Sequence, residues 1–239
     1  MKKMTYYFLL FLFFLVLATF LLIGPRQVQA TIIVGSWEFD DLAFADNASQ
    51  LESGLIDYRF GGSTLNDVLT GYSPALGIVN IGLTIGTDYY ANLFQLDFTD
   101  YIAINQMGAD IVFFEARFSS DSYEIAVHEV GGSLSAFNYF RFDSFTDISE
   151  SGPGGSSLYA LEIDLSDFGL ATGALVDAIQ FRAADSYPHP TANPSGLPEG
   201  DPVMAGILNG TTPVPEPSTL FLFFTTLIGL VGIKKKFKA

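Results

Sequence analysis

No cysteine occurs anywhere in the 239 residues. Disulfides, thiol catalysis and thiolate metal centres are therefore excluded, and any folded part must be held by its core alone. Lysine is missing from residues 4 to 233; its six copies stand at 2, 3, 234, 235, 236 and 238. Histidine is nearly absent, with His128 and His189 alone. A nucleophilic hydrolase needs a base beside its nucleophile, and neither histidine comes with a Gly-x-Ser-x-Gly elbow or a zinc-ligand spacing. Trp37 is the sole tryptophan, which leaves little scope for a tryptophan sugar platform. These absences point away from an enzyme.

What is abundant is acid. Residues 31 to 213 hold four arginines (59, 117, 141 and 182) against 25 acidic residues, a balance of −21, while the whole chain carries −15. Such a surface repels nucleic acid and anionic lipid, and suits solubility or the attraction of divalent cations. Its length is ample for one core.

Both ends carry address-like patterns. Lys2 and Lys3 precede an apolar run from Tyr6 to Ile23, Gly24-Pro25 breaks it, and Val28-Gln29-Ala30 offers small residues at alternating positions. This predicts a signal peptide over 1–30, cut by signal peptidase between Ala30 and Thr31. An uncleaved anchor is the alternative, because 18 apolar residues nearly span a bilayer. At the other end, Val214-Pro215-Glu216-Pro217 is followed by an apolar stretch, Leu220 to Ile233, and a lysine-rich tip. As a helix that stretch reaches about 21 Å, short of a ~30 Å hydrocarbon core. Basic residues flanking apolar segments stay cytoplasmic, so the two tips are expected inside and everything between them outside.

The order of motif, apolar run and basic tip resembles the PEP-CTERM sorting signal, read by exosortases in bacteria that make exopolysaccharide. The resemblance implies a sorting signal over 213–239, with processing at Val214, Pro215, Glu216 and Pro217.

Between the ends, period-two alternation dominates, which predicts an all-β domain over 31–212: an antiparallel sandwich or jelly roll, flanked by a signal helix and a hydrophobic C-terminal helix. Tyr123, Ile125 and Val127 share one face. So do Tyr159, Leu161, Ile163 and Leu165, and again Ile179, Phe181 and Ala183. Ile111 to Phe114 is continuously apolar and reads as a strand buried on both faces. Leu65 to Gly77 reads as a short helical turn or an irregular loop. Asp185 to Pro202 holds five prolines and is excluded from a sheet interior.

Several blocks resemble secreted galactose-binding-like (discoidin-like) sandwiches. They are Leu96-Asp97-Phe98, Gly108 to Glu115, Tyr123 to Val127, Ile163 to Gly169, Val176 to Ile179 and Asp201 to Ile207. The resemblance concerns the fold. It also implies one structural calcium, with Asp110, Glu115 and Asp201 at plausible ligand positions.

The leading functional expectation is an exported, exosortase-sorted, non-catalytic surface or matrix protein associated with exopolysaccharide. A carbohydrate-binding module, with its site in loops at one end and tyrosines 89, 90, 123, 139 and 187 as stacking candidates, is the alternative. A secreted hydrolase is more remote.

Overall fold

The computed structural model describes residues 30–52, 56–72, 78–80, 84–85, 88–89, 93–117, 121–184 and 200–213. The chain divides into two compact units, Met1–Ala30 and Thr31–Ala239. Both expected terminal helices lie outside the described residues. Among the described residues no helix is long and apolar enough to cross a membrane.

The second unit opens with β1 (Thr31–Val34), β2 (Trp37–Asp40), β3 (Asn47–Gln50) and β4 (Asp57–Arg59), then one short helix, α1 (Leu65–Leu69). There follow β5 (Ile78–Asn80), β6 (Thr84–Ile85), β7 (Asp88–Tyr89), β8 (Phe94–Asp97) and β9 (Ile102–Ile104). The longer strands come next: β10 (Ile111–Arg117), β11 (Tyr123–Glu129), β12 (Asn138–Phe140), β13 (Thr146–Ser151) and β14 (Ser157–Ile163). The described part closes with β15 (Leu175–Ala183), β16 (Pro202–Ile207) and β17 (Gly210–Thr211).

Among the described residues two larger antiparallel sheets result, beside the two-stranded pairs β1-β2, β4-β5 and β6-β7. The smaller runs β13-β14-β10-β16. The larger runs β12-β11-β15-β8-β3, with β9 pairing β15 and β17 pairing β9. Their facing surfaces meet through aromatic rings. Phe113 of β10 lies 5.1 Å from Phe181 of β15 and 5.1 Å from Tyr123 of β11, while Phe181 stacks on Phe94 at 5.7 Å. All four are fully buried, and each such side chain stabilises the fold by about 1.5–3 kcal/mol. This is the expected all-β sandwich.

The alternation readings hold for β11 and β15. Tyr123, Ile125 and Val127 are buried. So are Ile179, Phe181 and Ala183. Ile111 to Phe114 is buried on both faces as expected, because the β1–β2 hairpin covers the outer side of the smaller sheet. Trp37 and Phe39 of that hairpin meet Phe114 at 6.1 and 6.0 Å. Phe39 also packs on Gly206 of β16, where a Cβ would stand 2.7 Å from its ring.

One reading needs correction. Strand β14 ends at Ile163, so Leu165 does not continue it: Asp164 caps a 3-10 turn, Leu165–Phe168, by accepting from the Ser166 amide. The Leu65 to Gly77 stretch opens with the short helical turn expected there, α1, started by a capping box in which Thr64 and Asp67 each satisfy the other's backbone N–H. Of the proline-rich stretch, 185–199 lies outside the described residues. Pro202 opens β16, an edge strand, where a missing N–H is tolerated.

Candidate functional site

The outward face of the larger sheet carries a side-chain pattern that the inward face does not. Along β11, β15, β8 and β3, the residues alternating with the buried aromatics are Glu124, the buried Ala126 and His128; Ala178, Gln180 and Arg182; Gln95 and Asp97; and Asn47 and Ser49. Register sets them in rows. Asn47 faces Asp97, Gln95 faces Gln180, and Glu124 faces Arg182.

These neighbours hold one another. Asn47 Nδ2 donates to Asp97 Oδ2 at 2.8 Å, and Gln95 Nε2 donates to Asp97 Oδ1 at 2.6 Å. Gln180 Nε2 donates to Gln95 Oε1 at 2.8 Å, which carries the chain of bonds from β3 through β8 to β15. Arg182 Nε and Nη2 both reach Glu124 Oε2 at 2.6 Å, and its guanidinium lies 4.9 Å from the Phe137 ring centre. Arg182 and Glu124 remain 35% and 33% exposed, so the pair is ordered yet open to a ligand. Tyr139 of β12 faces Glu124 and is exposed. The five strands of the main path span about 19 Å at ~4.8 Å between neighbours.

His128 lies on the same face and is paired: its Nδ1 stands 2.7 Å from Asp177 Oδ1. The tyrosines named as stacking candidates separate. Tyr139 is exposed and Tyr123 is fully buried. The side chains of tyrosines 89, 90 and 187, like His189, lie outside the described residues.

The three acids named for calcium do not come together. Asp110 stands just before β10 and Glu115 is its fifth residue, five positions and about 16 Å further along. Asp110 is buried, and protein donors use its carboxylate. Oδ1 accepts from the Gln106 amide at 2.9 Å and Asn209 Nδ2 at 3.1 Å, and Oδ2 from the Leu165 amide at 3.1 Å. Glu115 and Asp201 do meet, since the Ala116 amide donates to Asp201 O and Pro202 pairs with Glu115. With Asp121, also buried, they surround Tyr123. Burial pushes the Tyr123 phenol well up, and the charges of Glu115, Asp121 and Asp201 add to it. Among the described residues no group of three or more His, Asp or Glu is arranged to hold a metal ion. Of the calcium set implied by the resemblance, Asp110 therefore stands apart from Glu115 and Asp201.

Ala30 is exposed and Thr31 opens β1. Val214, Pro215, Glu216 and Pro217 lie outside the described residues. Sequence reasoning missed the polar row. Its signal was present as alternating Gln95, Asp97, Gln180 and Arg182, but nothing local marks them as neighbours.

The chain carries a PEP-CTERM protein-sorting motif, matched over residues 213–236. That motif marks an exported protein processed by an exosortase at the membrane and sorted to the cell surface. No curated protein matches the chain. Among solved structures, a carbohydrate-binding module described as specific for non-crystalline cellulose is similar at 10% identity. The match covers 66% of this chain and 87% of that one, with a TM-score of 0.32.

Proposed function

We propose that this exosortase-sorted protein is non-catalytic and holds polysaccharide on the outward face of its larger sheet, in or near exopolysaccharide. The observation that carries this reading is the chain of side-chain hydrogen bonds from Asn47 through Asp97 and Gln95 to Gln180. Side chains already fixed by one another lose little freedom when a ligand arrives, which lowers the cost of binding. Planar amides, carboxylates and a guanidinium offer paired donors and acceptors to neighbouring hydroxyls. Tyr139 and Phe137 add ring faces for the apolar side of a sugar. The site is a sheet face rather than the loop end expected from the sequence. The non-catalytic part rests on the sequence, in which neither of the two histidines comes with a nucleophile elbow or a zinc-ligand spacing.

The test is a glycan array, followed by affinity electrophoresis of residues 31–213 in gels containing the polysaccharides that score. Binding to at least one polysaccharide is expected. Arg182→Ala and Gln180→Ala should each weaken it roughly tenfold while the melt stays cooperative, a loss of about 1.4 kcal/mol. Absence of binding across the array, or binding that both variants leave unchanged, would remove this reading.

A further inference from the structure

On the opposite side of the sandwich, a groove of about 550 Å³ opens between the β1–β2 turn and the edge strand β13. That volume falls within the range of small-ligand sites, roughly 300–1,000 Å³. Trp37, Thr146, Asp147, Ile148, Glu150 and Glu162 line it. Trp37 and Glu162 stand on the side of the smaller sheet facing away from Phe113 and Phe181, whereas Gln180 and Arg182 stand on the far side of the larger sheet. Two sheets about 10 Å apart lie between the groove and the polar row.

The groove is ordered. Trp37 meets Phe114 edge-on at 6.1 Å, and its Nε1 donates to Glu162 Oε1 at 2.8 Å. The Gly35 amide donates to Glu150 Oε1 at 2.5 Å, and the Ser149 amide to Asp147 Oδ1 at 2.8 Å. Each carboxylate is thus oriented by one N–H and retains a second acceptor oxygen. Ser149 takes φ +60°, a left-handed conformation that strains a non-glycine residue. Backbone strain of this kind gathers at binding rims.

We infer that this groove takes one unit of a second polysaccharide strand, so that the domain binds on two opposite faces and cross-links. The inference rests on the sheet-face reading above. An indole beside oriented carboxylates suits a neutral sugar, whose C–H face covers the ring while its hydroxyls donate charge-assisted bonds to carboxylate oxygens. The same carboxylates repel a uronic acid, which sets the selectivity.

Trp37 is the only tryptophan, so intrinsic fluorescence reports the groove and not the sheet face. The exported protein, as cells release it, is titrated with hexasaccharides of β-linked glucose, of N-acetylglucosamine and of guluronate. A saturable shift is expected with a neutral hexasaccharide, unchanged in Arg182→Ala and weakened at least tenfold in Glu162→Gln. A charge-matched control, Glu52→Gln, should leave the shift intact. The intact protein should also thicken a solution of the polymer it binds, and Glu162→Gln should bind without thickening. No shift with any of the three probes, an equal shift with guluronate, or a shift that Arg182→Ala abolishes would overturn the second site. If Arg182→Ala alters nothing while Glu162→Gln removes all binding, the sheet-face reading fails and the groove stands.

Discussion

The Oδ2 atom of Asp110 accepts the Leu165 amide at 3.1 Å, joining residues 55 positions apart. With Gln106 and Asn209 on its other oxygen, Asp110 ties the loop before β10 to the turn after β14 and to the segment after β16. Asp110→Ala strands buried donors and should cost about 3 kcal/mol. At roughly 2–4 °C per kcal/mol for a domain of this size, the melting temperature falls by about 6–12 °C. Asp110→Asn, which retains one acceptor oxygen, should recover part of the loss. Thermal melts of the two variants check this, and an unchanged midpoint in Asp110→Ala would contradict it.

Because Asp110 is saturated by protein donors and stands apart from Glu115 and Asp201, calcium is expected to act only through ionic strength. Calcium and magnesium at matched ionic strength should raise the melting temperature equally by screening the acid excess. Magnesium is the right comparison because it prefers a smaller octahedral site and keeps its water. A calcium-specific rise that Glu115→Gln removes would restore a metal site at Glu115.

Burial first, and then the charge of Asp46, push the Asp100 carboxyl above the usual carboxylate range. The folded chain therefore holds that proton more tightly than the unfolded chain does. Its effect on stability is nil below the ordinary carboxylate value. It turns unfavourable as pH rises toward the raised value and stays so above it. Asp100→Asn should raise the melting temperature at neutral pH, and the gain should close by about pH 3. A gain that persists in acid would assign the effect to packing instead.

Gly206 lets the β1–β2 hairpin reach the smaller sheet, since a Cβ there would stand 2.7 Å from the Phe39 ring and 3.1 Å from that of Phe44. Gly206→Ala should cost about 1–3 kcal/mol through overpacking. In Gly206→Ala/Phe39→Ala the two losses should add to less than their sum, because removing the ring relieves the clash. Urea unfolding of the single and double variants measures the coupling, and strict additivity would show that Phe39 is not the obstacle.

Local patterns determined a good part of this protein. The lysine-bounded ends and the Val214-Pro215-Glu216-Pro217 motif are contiguous, so export and sorting were legible without a fold. The inward faces of β11 and β15 were legible because a pleated strand turns alternate residues to opposite sides. The end of β14 was misread because a buried leucine at the next alternating position, Leu165, looks the same in a strand and in a 3-10 turn. Only the tertiary structure decided which strands became neighbours. Gln180 meets Gln95 from 85 positions away, and Trp37 meets Glu162 from 125. Their pairing depends on sheet order and register, which the packing of Phe113, Phe181 and Phe94 selects across the whole core. No stretch of sequence short enough to show a periodicity contains both partners.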